Sequence, residues 1–402
     1  MSSKGGFVPY RFARRMSHVP TSFLGELFRV SAAPGVISFA GGLPDATRFD
    51  CEGIKSATES VLSEEGEVAL QYTTTSGYLP LREYIADRYR TRLGLTAKPE
   101  EIQIVNGSQQ CLDLVGKILI NPGDPVIIER PGYLGAVEAF SFYEPEFLSI
   151  PPESGPVSGP DISRLARATE KSEPVLFYGI PNSQNPSGVS WAEERRREVA
   201  DILDGTGVIF YEDDAFGELF FDGKPRQPVK RWLPDQTIMT GSFSKTIAPG
   251  LRCGWIWAPE PVLTEFNRAK QAADLHTNLI SQMVLARYLT THPGDDRIRE
   301  TAHIYGLRCR IMEEILDDRF PNGISHTHPE GGMFLMVKLP KGIDSMEVFK
   351  EGVRGGVAVM PGYPFYVDDG GGDTIRLNFS AAGEDQIGEG MDRLCRVITS
   401  LL

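Results

Sequence analysis

The chain has 402 residues, 41% hydrophobic and 24% charged, which is more than one compact unit usually holds, so two domains are expected. Lys and Arg number 41 against 54 Asp and Glu, and the resulting net charge of −13 repels polyanions and excludes nucleic acid as an expected partner. The longest apolar runs, such as Val175 to Ile180, are too short to cross a bilayer as a helix, and Cys51, Cys111, Cys253, Cys309 and Cys395 show no zinc or redox spacing and read as reduced, mostly buried thiols.

The first twenty-five residues lack Asp and Glu and carry Arg11, Arg14 and Arg15 without the apolar core of a secretory signal, so they read as an arm lying on the protein. From Glu101 to Trp257, short β-rich runs alternate with helical patterns, the signature of a parallel sheet covered on both faces. Strands are expected at Ile102 to Val105, Val126 to Ile128, Val175 to Gly179, Val208 to Tyr211, Ile238 to Thr240 and Gly254 to Trp257. Each runs into a polar loop, and ligands of open α/β sheets bind where such loops gather. After Pro259 the pattern predicts helices over Pro261 to Leu289 and Asp295 to Asp318, then strands at Met333 to Lys338 and Ile375 to Phe379, as in a second, α+β domain. Pro151 to Pro160 and Asp368 to Gly372 read as surface loops.

Several loops at strand ends carry chemistry. In Thr240-Gly-Ser-Phe-Ser-Lys-Thr-Ile-Ala-Pro-Gly-Leu-Arg252, Lys245 can form a Schiff base with an aldehyde, while Ser242, Ser244 and Arg252 can neutralise and hydrogen-bond a phosphate beside it; the plainer reading is a solvated loop. Asn106-Gly-Ser-Gln-Gln110 follows a strand and opens a helix, so the N–H groups near Ser108 and Gln109 suit a phosphate, or Ser108 simply caps the helix. Val208 to Asp213 brings a run of carboxylates to the same edge, which by themselves read as an acidic strand end or as a metal site, the latter without a histidine nearby in sequence. Asn185, in Asn185-Pro-Ser-Gly188, sits in a turn-rich loop whose amide can donate, and Arg376 ends a predicted strand, where a surface ion pair is the alternative to a carboxylate fork. His326-Thr-His328 reads as two ordinary surface histidines with no metal, and Glu193 to Glu198 as the solvated face of a helix.

Together with Ser38-Phe-Ala-Gly-Gly-Leu-Pro44, Gln71-Tyr-Thr-Thr-Thr-Ser-Gly-Tyr-Leu-Pro-Leu-Arg82 and Arg376-Leu-Asn-Phe-Ser380, these motifs resemble, in order and over nearly the whole chain, the class I and II aminotransferases of fold type I, which bind pyridoxal phosphate. With Asp274-Leu-His-Thr-Asn278, the resemblance is greatest to the branch of aminoadipate, kynurenine and broad-range amino acid aminotransferases. The resemblance implies an aspartate aminotransferase-like α/β fold. Residues 1–50 would be an arm and part of the small domain, 51–292 a large domain with a mostly parallel seven-stranded sheet, and 293–402 the small α+β domain.

It further implies that Lys245 holds pyridoxal 5'-phosphate as an aldimine, Asp213 keeps the pyridine nitrogen protonated, Tyr133 stacks on the ring and Asn185 donates to the phenolic oxygen. Arg376 grips the substrate α-carboxylate, Gly41 and Gly42 let backbone approach the substrate, and Tyr72 reaches the phosphate of a neighbouring subunit, which makes the expected assembly a homodimer with shared sites. Where the family usually has a tyrosine donating to the phenolic oxygen, this chain has Phe216, and that donor is missing.

The expected activity is ping-pong transfer of an amino group between an L-amino acid and a 2-oxo acid in the cytoplasm, the freed Lys245 moving the Cα proton. Phe216 motivates the alternative, another Cα reaction such as elimination, oxidation or replacement. A regulator that has kept the fold is disfavoured, because such proteins carry a DNA-binding domain before it.

Overall fold

The computed structural model describes residues 10–17, 19, 25, 34–155, 157–292 and 294–402. After β1 (Ile37–Ser38), helices α1 (Cys51–Ala69) and α2 (Leu79–Leu93) lead into seven strands with α3 (Ser108–Leu119), α4 (Leu134–Ser141), α5 (Ile162–Ser172) and α6 (Glu193–Leu203) between them. The strands are β2 (Ile102–Val105), β3 (Pro125–Glu129), β4 (Glu146–Ile150), β5 (Leu176–Gly179), β6 (Ile209–Asp214), β7 (Thr237–Ser242) and β8 (Gly254–Trp257). They form one sheet in the order β2-β8-β7-β6-β5-β3-β4. Every pairing is parallel except those of β8, which runs against β2 and β7.

Side chains alternate across a strand, so each run feeds two cores. Val126, Ile128, Tyr178 and Tyr211 pack with Leu112, Val115 and Phe140 of α3 and α4, whereas Ile127, Phe177 and Phe210 pack with Leu165, Val199 and Leu203 of α5 and α6. The edge strand β4 lies outside the sequence expectation; Phe147, Leu148 and Ser149 are only half-buried, and its apolar signal is correspondingly weak. Conversely, β6 runs on through Glu212, Asp213 and Asp214, residues that disfavour strands, because β5 and β7 pair with it on both sides.

The long helix expected over Pro261 to Leu289 is two helices, α7 (Glu260–Asp274) and α8 (Leu279–Thr291). Leu275, at φ 65°, breaks the first, and the Asn278 side chain caps the second by accepting from the Ser281 N–H. Next come α9 (Asp295–Arg319), β9 (Ser325–His326), β10 (Phe334–Lys338), α10 (Ser345–Arg354), β11 (Val357–Ala358), β12 (Met360–Pro361), β13 (Thr374–Asn378) and α11 (Glu384–Ser400). A second, antiparallel sheet has the order β12-β13-β10-β9, while β1 pairs in parallel with β11. Met312, Leu335, Leu377 and Leu394 lie in the core of this part.

The expected solvated face at Glu193 to Glu198 is corrected: Arg195 is 5% and Arg196 1% exposed. Arg196 turns inward because four acceptors await its guanidinium, the carbonyls of Pro181, Trp191 and Gln227 and the side chain of Asn182. Cys111, Cys253 and Cys309 are buried, Cys395 is half-buried and Cys51 is exposed, all as free thiols. Arg14 of the arm reaches Glu144 at 3.1 Å. No described helix is long and apolar enough to cross a membrane.

Candidate functional site

A cavity of about 500 Å³ opens at the carboxyl ends of β5, β6 and β7, where β10 and β13 face the large sheet. Of the residues singled out in the sequence, it is lined by Gly41, Gly42, Ser108, Gln109, Tyr133, Asn185, Asp213, Phe216, Ser242, Ser244, Lys245, Arg252 and Arg376. Tyr72 is not among them: it is 77% exposed and its ring meets that of His276 edge-on at 5.8 Å.

Alternation along β6 separates its three carboxylates. Glu212 accepts the N–H groups of Val229 and Lys230 at 3.0 Å, Asp214 accepts from Asn182 at 2.8 Å, and Asp213 points into the cavity. The Tyr178 hydroxyl donates to Asp213 Oδ2 at 2.7 Å, while Oδ1 is buried and has no hydrogen-bond partner among the described residues. Burial pushes the Asp213 carboxyl up to about 6 despite that hydroxyl, so an N–H or cation opposite Oδ1 would be strongly favoured.

Lys245 follows β7, and its Nζ donates to the Gly42 carbonyl at 2.7 Å. Burial, with Arg376 and Arg252 adding like charge, lowers its ammonium to about 8, within reach of a neutral, nucleophilic amine. Arg376, 4% exposed on β13, donates to Asn185 Oδ1 and the Ala40 carbonyl, each at 2.7 Å, and lies over the ring of Phe334 at 4.1 Å. Its Nε has no partner, no carboxylate pairs with it among the described residues, and burial pushes it down to about 9. The surface ion pair weighed for this arginine is therefore absent among the described residues, and a fork without an anion faces the cavity.

At the opposite end, Gly107 at φ +75° turns the chain from β2 into α3, and a Cβ there would sit 2.5 Å from Arg252 Nη2. Glycine thus lets the guanidinium approach the helix N-terminus, where Ser108 and Gln109 line the cavity. Ser242 Oγ accepts the Ser244 N–H at 3.1 Å and the Gln109 side chain bridges to the Gly135 carbonyl at 2.9 Å. Phe216 meets Phe334 edge-on at 5.9 Å and offers no donor.

Sequence reasoning missed four supports. Tyr178 orients Asp213; Glu129 accepts the Ile180 N–H at 2.7 Å and Trp191 Nε1–H at 2.9 Å; Arg196 holds both sides of the loop bearing Asn185; and the carbonyls of Ala40 and Gly42 receive Arg376 and Lys245. Only Glu129, a carboxylate ending the apolar run Pro125–Glu129, left a signal in the sequence. Away from the cavity, His326 departs from its surface reading, its side chain being 4% exposed, and it comes together with His328 and Glu313, their ligand atoms within 4.8 Å of one another.

The family described as aminotransferase class I and II matches residues 35–398. An aromatic-amino-acid aminotransferase of Thermococcus litoralis is 37% identical, covering 96% of this chain and 94% of its own. Among solved structures, the α-aminoadipate aminotransferase of Thermus thermophilus complexed with N-(5'-phosphopyridoxyl)-L-leucine is 36% identical with a TM-score of 0.89, covering 97% of each chain. The kynurenine aminotransferase of Pyrococcus horikoshii is likewise 36% identical, with a TM-score of 0.91 and 97% coverage of each chain.

Proposed function

Because the chain belongs to the class I and II aminotransferases, and so is a pyridoxal phosphate-dependent enzyme acting on amino acids and 2-oxo acids, we propose that Lys245 carries the cofactor and Arg376 the substrate carboxylate. The observation that carries this reading is the set of groups around one cavity that await a charged partner: Asp213 Oδ1 at its base, the Arg376 guanidinium, which no carboxylate pairs among the described residues, on one side, and Arg252 with the α3 N-terminus on the other. These suit, in turn, a protonated ring nitrogen, an α-carboxylate and a phosphate. The residues present thus fit the group.

When bound, the cofactor supplies an electron sink for the pair released at the substrate Cα. The chain supplies the rest. Arg376 fixes the α-carboxylate, and with it the orientation of the Cα–H bond; Lys245 Nζ takes the proton from Cα and would deliver it to the cofactor's C4′ carbon; Asp213 holds the proton on the ring nitrogen. Ser108, Gln109, Ser242, Ser244 and Arg252 hold the phosphate, Tyr133 the ring face, and Asn185 the phenolic oxygen. The first 2-oxo acid leaves before the second binds, giving ping-pong order. Relatives of this branch support amino transfer, and none of those compared supports the other Cα reactions.

Mixing the purified protein with single amino acids tests this. Loss of the visible cofactor band with one equivalent of 2-oxo acid, and its return on adding a second oxo acid, is the expected result; ammonia release or oxygen uptake without amino product would overturn it.

Two further expectations arise here. Since Lys245 is neutral above about 8, cofactor uptake by the cofactor-free protein should accelerate as pH rises to 8 and then level off, whereas an ordinary lysine would keep it rising towards 10.5; stopped-flow absorbance checks this. Phe216→Tyr restores a donor toward the phenolic oxygen and stabilises its deprotonated form. A hydrogen bond to a charged group contributes about 1.5–3 kcal/mol, so the pH midpoint of the visible band should fall by roughly one to two units. An unmoved midpoint in a spectrophotometric titration would place the introduced hydroxyl out of reach.

A homodimer with shared sites belongs to the same reading. It is supported by the exposure of Tyr72 beside Leu70 and Val68, 77%, 72% and 55%, outside the cavity of its own chain. Sedimentation at twice 44.3 kDa is expected, with Tyr72→Phe weakening cofactor retention. A cytoplasmic location, supported by the free thiols, and domain limits of 1–50, 51–292 and 293–402, testable by limited proteolysis, complete the proposal.

A further inference from the structure

Behind the turn that faces the phosphate end of the cavity lies a charged network with no part in the chemistry above. Lys270, on α7, has a side chain that is 0% exposed. Its Nζ donates to both carboxylate oxygens of Asp274 and to Gln110 Oε1, all at 2.9 Å. Asp274 Oδ2 accepts in addition from Asn106 Nδ2 at 2.5 Å and Gln110 Nε2 at 2.8 Å, and Gln110 Oε1 takes the Asn106 backbone N–H at 2.9 Å.

A buried ammonium–carboxylate pair is a poor source of stability, since apolar side chains of the same volume often serve as well or better. What it does supply is direction. Every donor and acceptor of the network that does not belong to the pair itself belongs to Asn106 or Gln110, the residues flanking Gly107-Ser108-Gln109. That segment turns on a glycine at φ +75°, the least restrained residue available, beside Arg252. The network also follows the helix break: Asp274 is the last residue of α7, Leu275 turns to φ 65°, and Thr277 Oγ1 donates to the Ile104 carbonyl of β2 at 3.2 Å. Both flanks of the turn are thereby tied to one point on α7.

We infer that Lys270 and Asp274 are positioning residues that hold the Asn106–Gln110 turn in its phosphate-receiving shape, so that they set the enzyme's preference for a phosphorylated cofactor over its unphosphorylated analogue. The inference rests on the proposed phosphate role of that turn. A network that merely stabilised the fold would affect both ligands alike, whereas one that aims N–H groups at a phosphate affects only the ligand that has one.

The test uses the full-length protein freed of cofactor and measures its affinities for pyridoxal phosphate and for pyridoxal by absorbance and tryptophan fluorescence. Lys270→Met and Asp274→Asn should each weaken pyridoxal phosphate binding by about tenfold to a hundredfold, the scale of a displaced binding group, and leave pyridoxal binding unchanged. Should either variant not fold, Asn106→Ala cuts the same link from the turn's side and carries the same expectation. Equal loss of both affinities, or loss of neither, overturns the inference. Arg252→Met separates the causes: if it lowers the preference for the phosphorylated ligand and the network variants do not, only the inference fails, and if Arg252→Met leaves that preference intact, the phosphate reading fails and takes the inference with it.

Discussion

Replacing Lys245 by Ala is expected to remove the borohydride-reducible visible band and to lower amino transfer at least 10⁴-fold, the upper range of what a positioned acid–base group contributes, because on the proposed reading the same side chain both tethers the cofactor and moves the Cα proton. The structure makes the loss specific. Among the described residues the Lys245 side chain makes one hydrogen bond, to the Gly42 carbonyl, and the neighbouring cations Arg376 and Arg252 disfavour its charge, so removing the ammonium relieves repulsion and should leave the fold intact. Circular dichroism and thermal unfolding of the cofactor-free variant should match the parent. A variant that keeps the reducible band would show that a different amine carries the cofactor.

Arg376→Met is expected to act on the substrate instead. The band should persist, while kcat/KM for amino acids falls about 10²- to 10³-fold, as when one partner of a buried, hydrogen-bonded charge pair is truncated. Arg376→Lys should recover little, because a point charge cannot present the two parallel donors that a carboxylate meets in the guanidinium plane. Steady-state kinetics with an amino acid and with the corresponding unsubstituted amine, which lacks the carboxylate, separates the effects: the loss should be confined to the carboxylated substrate. Equal losses for both would assign Arg376 to the fold around Asn185 and Ala40 rather than to substrate.

Much of this site was legible because it is built from short segments at strand ends, where a few adjacent residues carry both the turn and the chemistry. Asn106 to Gln109 and Ser242 to Lys245 are of this kind, and the alternation of β6 sends Asp213 to the opposite side from Glu212 and Asp214. What escaped the sequence depends on distance along the chain. Tyr178 meets Asp213 only because β5 and β6 pair in parallel with Tyr178 opposite Tyr211, and Arg196 turns inward only because Pro181, Trp191 and Gln227 present carbonyls there. A run of alternating charge is the usual mark of a wet helix face, and no local rule says which arginine in it will find buried acceptors. Likewise, the Leu275 break left no mark, because leucine favours helices and its left-handed backbone is imposed by the contacts around it.

The parallel pairing of Ile37 with Val357 and Ser38 with Ala358 has a consequence for how the molecule is made. The residues after it, Ala40 and Gly42, offer the carbonyls that receive Arg376 and Lys245, and Phe39 donates its N–H to the Ala358 carbonyl and accepts the Asn378 N–H. A ribosome adding roughly 5–20 residues per second brings these partners together only some tens of seconds after the first strand has emerged. The sheet that bears Lys245 can form in the meantime, so the wall built from Ala40, Gly42 and Arg376 is the last part to be laid, and a nascent chain stalled before Val357 would have its lysine in place without that wall.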